Sequence, residues 1–378
     1  MKVGMFAALL LTTMAVAGGL APGVSSAAAT VGPASKAGAT YYLAMGDSMA
    51  AGVGATQPSE DYVNLIYEHE LTEFPALQVH NIACSGATTG SVINGPGCSY
   101  KTGTQLGDAE AFLRSHKNEV PIVTIDIGAN DVDGCIDGDS INASCVSQGL
   151  VDINQNLPQI LSGLRSAYPG IAIYGMDYYD PFLGVWLTGS SGQQLATQSE
   201  QYAIGLNTLL EQLYTAGGAA TADPATMFQT TDFEETGSYD GQTEPQNVAD
   251  VCNWTLFCSD GGNIHPNDIG HAVVAASFEQ VIDGVTITTT GLPTASVGSK
   301  YGGQLQATGG HPPYTWALAP ASGALPTGLK LKPNGTFAGK PKTTGDFTFT
   351  VQVLDTPLNI HDAPPANVAT QTLTISVT

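Results

Sequence analysis

A hydroxyl, an imidazole and a carboxamide stand at three distant turns of this sequence. Ser48 closes the tripeptide Gly46-Asp47-Ser48 directly after the apolar run Tyr41–Met45, on the turn that ends an expected strand. His265 opens His265-Pro266-Asn267 just ahead of an expected helix, and Asn130 lies in Gly128-Ala129-Asn130-Asp131 after the apolar run Ile122–Ile127. Breaking an ester requires an activated nucleophile, a base to take its proton, and hydrogen-bond donors where charge develops on the carbonyl oxygen. Ser48 can supply the first. His265 suits the second, because the positive end of a helix dipole disfavours imidazolium and keeps the ring available near neutral pH. Asn130 can project its amide over the carboxyl edge of a sheet, where open α/β folds bind ligands. Gly86, in Cys84-Ser85-Gly86-Ala87, can aim an unhindered N–H at the same oxygen.

The elements that must position these groups read as an alternation. Strands are expected at Tyr41–Met45, Gln78–Ala83, Pro121–Ile127, Ile171–Met176 and Thr226–Gln229, each short, apolar and bounded by turn formers. Helical spacing falls between them. Val63, Tyr67, Leu71 and Phe74 form one face behind Pro58-Ser59, a plausible N-cap. Leu150, Ile153, Leu157, Leu161 and Leu164 form a second, and Leu195, Tyr202, Leu206, Leu209 and Leu213 a third. Ile269, Val273, Ala276 and Ile282 mark the last helix, after Pro266. Such alternation implies a parallel sheet covered by helices on both faces.

Four blocks, in this order along the chain, resemble the secreted SGNH, or GDSL, hydrolase superfamily: Gly46-Asp47-Ser48, Gly86, Gly128-x-Asn130-Asp131 and His265-Pro266-Asn267. The resemblance implies a three-layer α/β/α fold with a five-stranded parallel sheet over residues 38–284. It further implies Ser48 as nucleophile, His265 as base, and an oxyanion hole made by the Ser48 N–H, the Gly86 N–H and the Asn130 amide. That chemistry calls for no metal or cofactor. The chain departs from the pattern at Gly262, where the superfamily often carries an Asp three residues before the histidine. Two acceptors for the imidazole Nδ1–H stay open, the Asp260 carboxylate and a backbone carbonyl near Gly262, with Asn263 read as holding the loop.

The neighbours of these blocks have plainer readings. Asp47 and Asp131 brace their turns, and His271 is a packed or surface helical residue. Asp133, Asp137 and Asp139 beside Asn142 read as a solvated acidic loop, because the twelve-residue calcium pattern is missing. Tyr178-Tyr179-Asp180-Pro181-Phe182 and Trp186 follow the fourth strand, where they either wall an acyl pocket or cover the sheet.

Residues 1–29 read as a secretory signal peptide, with one Lys, an apolar stretch from Val3 to about Leu20 and a small-residue cleavage region. Removing it leaves about 350 residues, more than one hydrophobic core usually organises. Near Gly284 the pattern turns Thr-rich with a two-residue period, so residues 291–378 read as a small antiparallel sandwich. Leu325-Pro326-Thr327-Gly328-Leu329 and Gly335–Pro341 resemble immunoglobulin-like domains of bacterial surface and secreted proteins, a module that could bind polysaccharide or a cell surface. Tyr314 and Trp316, on one strand face, are read as core rather than as a sugar platform.

The net charge of −22 sits almost wholly ahead of this module, where Lys330, Lys332, Lys340 and Lys342 offset Asp346, Asp355 and Asp362. An acidic body of this kind repels nucleic acid and anionic lipid. Six cysteines in an exported chain point to disulfides, expected locally as Cys84–Cys98, Cys135–Cys145 and Cys252–Cys258 because each pair brackets a Gly-rich or polar loop. The expected function is a secreted serine ester hydrolase acting on small-molecule or lipid esters. The alternatives are a polysaccharide deacetylase and a non-catalytic adhesive protein on a hydrolase-like scaffold.

Overall fold

The structure is a computed structural model that describes residues 39–137, 140–310, 313–320, 322–355 and 368–378. The expected signal peptide lies outside these residues. Five strands, β1 (Thr40–Gly46), β2 (Leu77–Asn81), β3 (Ile122–Asp126), β4 (Ile173–Met176) and β5 (Ala220–Ala222), form one parallel sheet in the order β2-β1-β3-β4-β5. In the centre, every residue of β3 is buried, as expected of a strand covered on both faces.

Among the described residues, eight α-helices connect and follow the strands: α1 (Tyr62–Glu70), α2 (Thr89–Asn94), α3 (Gln105–Ser115), α4 (Ala143–Ala167), α5 (Ser190–Ala216), α6 (Pro224–Met227), α7 (Gln246–Trp254) and α8 (Asp268–Ile282). α1 packs on α8, while α3, α4 and α5 pack in series, giving the layers to either side of the sheet. The strand order reverses between β1 and β3. Ser48 and Asn130 follow those two strands, at the kind of crevice where such sheets bind ligands.

One strand expectation fails. Thr226–Gln229 is the end of a short helix and its exit turn, and the fifth strand is Ala220–Ala222, which pairs Tyr174 with Ala220 and Met176 with Ala222. Asp223 accepts from the Thr226 N–H at 2.7 Å and Pro224 stands in the first turn, so a cap and a helix start occupy the apolar run. As an edge strand bonded on one side only, β5 needs little apolar character.

The helix expectations hold in kind and shift in phase. α1 is capped by Asp61 rather than Ser59, and it buries Tyr62, Val63, Ile66 and Glu70, with Tyr67 half-buried. α4 buries Ile153, Leu157, Leu161 and Leu164 as the spacing requires. α5 turns its stripe by one residue, so that Leu210 and Tyr214 go deep and Leu209 and Leu213 stay half-buried. α8 is buried on almost every side from Gly270 to Glu279, which erases any amphipathic signature.

From Val285 onward the chain builds a second hydrophobic cluster that includes Trp316, Phe337, Phe349, Val351 and Ile375. Its strands are β6 (Thr286–Ile287), β7 (Ala307–Thr308), β8 (Thr315–Leu318), β9 (Leu329–Leu331), β10 (Phe337–Gly339), β11 (Gly345–Leu354) and β12 (Val368–Val377). They pair antiparallel as β6-β7, β8-β11-β12 and β9-β10. Alternation places Phe349, Val351 and Val353 inward while Thr348 and Thr350 bond to Thr374 and Thr372 outside, as expected for half-buried strands. Trp316 is buried in this core with Tyr314 packed against it. No helix among the described residues is long and apolar enough to cross a membrane.

Candidate active site

Three of the four proposed site residues meet in one crevice. Ser48, Asn130 and His265 all line one solvent-open crevice, whose remaining wall includes Val132, Ile136, Ile141, Val146, Phe182 and Leu206. Gly86 sits on the adjoining loop, exposed, and does not line the crevice. It is nevertheless close, since the Asn130 amide donates to the carbonyl of the next residue, Ala87, at 3.1 Å.

Ser48 stands on a turn fixed from below. The Gly46 N–H donates to Gln105 Oε1 and the Gln105 amide donates back to the Gly46 carbonyl, both at 2.9 Å. Asp47 accepts from the Met49 N–H at 3.0 Å and from the Tyr178 hydroxyl at 3.3 Å, so it braces the turn as expected. Asp126, at the end of β3, accepts from the Ala50 N–H and the Tyr62 hydroxyl. Burial raises the pKa of both Asp47 and Asp126, and Asp126 goes well up because the Asp47 charge adds to the penalty. Ser48 itself is 8% exposed, and its hydroxyl makes only a long 3.5 Å contact to Asp47, which leaves it free for another partner.

The Asn130 turn is tied to the loop that carries Gly86. Asp131 accepts from the Thr89 N–H at 2.9 Å and from the Thr89 hydroxyl at 2.7 Å. It therefore also braces the neighbouring helix start, across 42 residues of sequence.

His265 arrives on a loop that the Cys252–Cys258 disulfide and a ladder of backbone bonds hold in place. Leu256 N–H donates to the His265 carbonyl at 2.9 Å, Asn267 N–H to Trp254, and the Tyr179 hydroxyl to the Ile264 carbonyl at 2.8 Å. The segment after Ser48 lies directly against this loop. A Cβ on Gly54 would fall 2.0 Å from the Pro266 carbonyl, and Thr56 donates twice to Asp268.

Neither expected acceptor orients the imidazole. His265 Nδ1 lies 2.7 Å from Asn263 Oδ1, which also accepts from the His265 N–H at 3.2 Å. The Asp260 carboxylate instead accepts from the Asn263 amide at 3.0 Å. Burial lowers the His265 pKa, so the ring stays neutral into mildly acidic solution. His271 is a packed residue: its Nδ1 accepts from the Tyr62 N–H, its Nε2–H donates to Val53, and burial takes its pKa down to about 4.

The acidic segment is not wholly solvated. Asp133 lines the crevice, and burial raises its pKa to about 8. Asn142 caps α4 through the Cys145 N–H, while Asp139 lies outside the described residues. Tyr178, Tyr179, Asp180 and Phe182 do form crevice wall; Trp186 packs on Phe233 instead, with ring centroids 5.1 Å apart. All three disulfides join the expected partners, Cys84–Cys98, Cys135–Cys145 and Cys252–Cys258.

Sequence reasoning missed Gln105 and Asp126 as supports of this site, and read Asn263 as holding the loop rather than as the acceptor beside the imidazole. Asp126 left a trace, a carboxylate inside an otherwise apolar strand. Gln105 left none, because its partner is backbone 59 residues away.

A parallel sheet between helical layers, with a serine at its switch point and a histidine from the last loop lining the same crevice, matches the SGNH α/β fold. The family model described as GDSL-like Lipase/Acylhydrolase matches residues 44–273, and the "Putative Ig domain" model matches residues 284–378. The chain therefore belongs to the GDSL-like lipase/acylhydrolase family and is a carboxylic ester hydrolase, joined to an immunoglobulin-like module. Similar solved structures include an extracellular lipase from Streptomyces rimosus, 21% identical over 62% of this chain and 95% of that one, with a TM-score of 0.42. Phospholipase A1 from Streptomyces albidoflavus is 19% identical over 64% and 100%, TM-score 0.41. A psychrotrophic esterase from Pseudoalteromonas is 16% identical over 63% and 93%, TM-score 0.35. Comparison with curated proteins found no match.

Proposed function

We propose that this protein is a secreted esterase that cleaves carboxylic esters through an acyl-Ser48 intermediate. The Ser48 hydroxyl attacks the ester carbonyl while His265 Nε2 takes its proton. The tetrahedral oxyanion is held by the Asn130 amide together with the Ser48 and Gly86 N–H groups. His265 then returns the proton to the departing alcohol, and a water activated by the same ring hydrolyses the acyl-enzyme.

The observation that carries this reading is the convergence of Ser48, Asn130 and His265 on one crevice at the switch point of the sheet. The wall argues for the acyl group. Ile136, Ile141, Val146, Phe182 and Leu206 offer apolar surface to an alkyl chain, which a deacetylase for sugars has no use for. Three disulfides and the signal-like first residues support export to an oxidising compartment. The nearly charge-balanced C-terminal module is proposed as a separate attachment domain for polysaccharide or a cell surface.

The test is an active-serine phosphonate probe followed by peptide mapping. Label confined to Ser48, with hydrolysis of soluble esters reduced on the order of 10⁶-fold in Ser48→Ala, is the expected outcome. Hydrolysis that survives in Ser48→Ala would refute the mechanism.

A further inference from the structure

The groups behind His265 form a chain whose orientation is fixed at its outer end. Asp260 carries a carboxylate, which only accepts hydrogen bonds, so the Asn263 group 3.0 Å from it is the NH₂. The other end of that amide is therefore the carbonyl oxygen, and it faces His265 Nδ1 at 2.7 Å. A carbonyl oxygen cannot donate. The proton between them is on Nδ1, and the lone pair of the ring is on Nε2, the nitrogen a base must present.

We propose that Asn263 is the positioning residue of His265, locked by Asp260, so that a neutral amide does the orienting that a carboxylate does elsewhere. The inference rests on the acyl-Ser48 reading above. The loop explains the exchange. Residues 260–263 form a turn closed by the Asn263 N–H on the Asp260 carbonyl at 3.1 Å, with Gly261 and Gly262 at φ +58° and +88°. A side chain at position 262 would be held in left-handed backbone, whereas position 263 is free of that restriction and aims its amide at the ring.

A neutral acceptor has a chemical consequence. It fixes the tautomer and ring plane, yet it attracts the imidazolium less than a carboxylate would. His265 therefore stays a free base at lower pH. The titratable groups that share the crevice are Asp47, Asp133, Asp180, Tyr178, Tyr179 and Tyr202, with Asp268 and His271 on the helix behind the loop.

The test uses the full chain with Asn263→Ala, the exchange pair Asp260→Asn with Asn263→Asp, and Ser48→Ala as reference. Asn263→Ala should lower kcat roughly 10- to 100-fold with KM nearly unchanged. The exchange pair rebuilds both hydrogen bonds with the charge moved inward, so it should regain most of the lost kcat and shift the acid limb of the pH–rate profile upward. Long-range ¹H–¹⁵N correlation of the native His265 ring should show a protonated Nδ1 and a bare Nε2. An Nε2-protonated ring in the native protein would overturn the proposal even if Asn263→Ala fails to fold. So would a folded Asn263→Ala with native kcat and acid limb while Ser48→Ala is inactive. Activity persisting in Ser48→Ala would instead overturn the acyl-serine reading, and the proposal with it.

Discussion

The turn that carries Ser48 is anchored in the deepest part of the sheet, whereas the imidazole of His265 is oriented by contacts of short sequence range, on a loop that Tyr179 and Thr56 also tie to the rest of the domain. Beneath Ser48 lie Gln105, Asp126 and Tyr62, each buried and joined by bonds that span at least 59 residues of sequence, the Gly46–Gln105 pair being the shortest. Around His265 the supports are Asn263, Asp260 and the Cys252–Cys258 bridge, whose separations are two, three and six residues. Rigidity at the nucleophile thus depends on the global core, and the orientation of the imidazole depends mainly on one loop. Damage to the first should unfold the domain, while damage to the second should disable a folded one.

Gly46→Ala is expected to have the largest effect. Gly46 has φ +138°, and an added Cβ would lie 2.1 Å from Asp126 Oδ1 and 2.2 Å from its carbonyl oxygen. Left-handed strain and overpacking together should cost on the order of 2–6 kcal/mol. Urea unfolding reads this directly. Native stability in that variant would break the claim that the Ser48 turn is set by close backbone approach to β3.

Opening the other region should separate activity from stability. Replacing Cys252 and Cys258 together by Ser removes a six-residue closure, worth about 2 kcal/mol in the chain-entropy account. The expected outcome is a folded protein whose kcat falls more than its urea midpoint does, because the loop that sets the imidazole is released. A midpoint collapse with kcat preserved would reverse the comparison.

The two regions were unequally legible before the structure. Strand ends and turn residues located Ser48, Asn130 and His265, since Gly-rich turns after apolar runs are local signals. The fifth strand was misplaced because Ala220–Ala222 is short and barely apolar, while the Met227-Phe228 pair that imitates a strand packs as a helix turn. The imidazole acceptor was misassigned between Asp260 and a carbonyl for a different reason. A turn with two left-handed glycines displaces the acceptor by one residue, and nothing in the residue types announces that geometry. Gln105 and Asp126 could not be assigned at all, because long-range pairing with backbone has no periodicity.

Opposite pH responses offer a subtler separation. Asp180 is buried with its pKa raised to about 7 by desolvation, so between the ordinary carboxylate range and pH 7 the unfolded chain loses a proton that the native protein keeps. Stability must then fall as pH rises through that window. His265 has its pKa lowered by burial, so activity should hold below pH 6.5 and fade only as the ring protonates. The protein should be most stable in mildly acidic solution while still active there. Asp180→Asn keeps the bonds that Oδ1 accepts from Phe182 and Ser199, and should make the variant gain on the native protein by about 2–4 kcal/mol between pH 4 and pH 8. Parallel unfolding curves for the two proteins across that range would show that Asp180 ionises freely.

The smallest effect is expected from the largest deletion. The second hydrophobic cluster, starting at Val285, is distinct from the cluster that surrounds the sheet, and none of the module's described residues lines the crevice. Removing residues 285–378 should therefore leave kcat/KM for a small soluble ester within about two-fold, since neither the nucleophile's deep anchors nor the base's loop is touched. A fall well beyond that, with the remaining domain folded by near-ultraviolet circular dichroism, would show that the module supports one of the two regions.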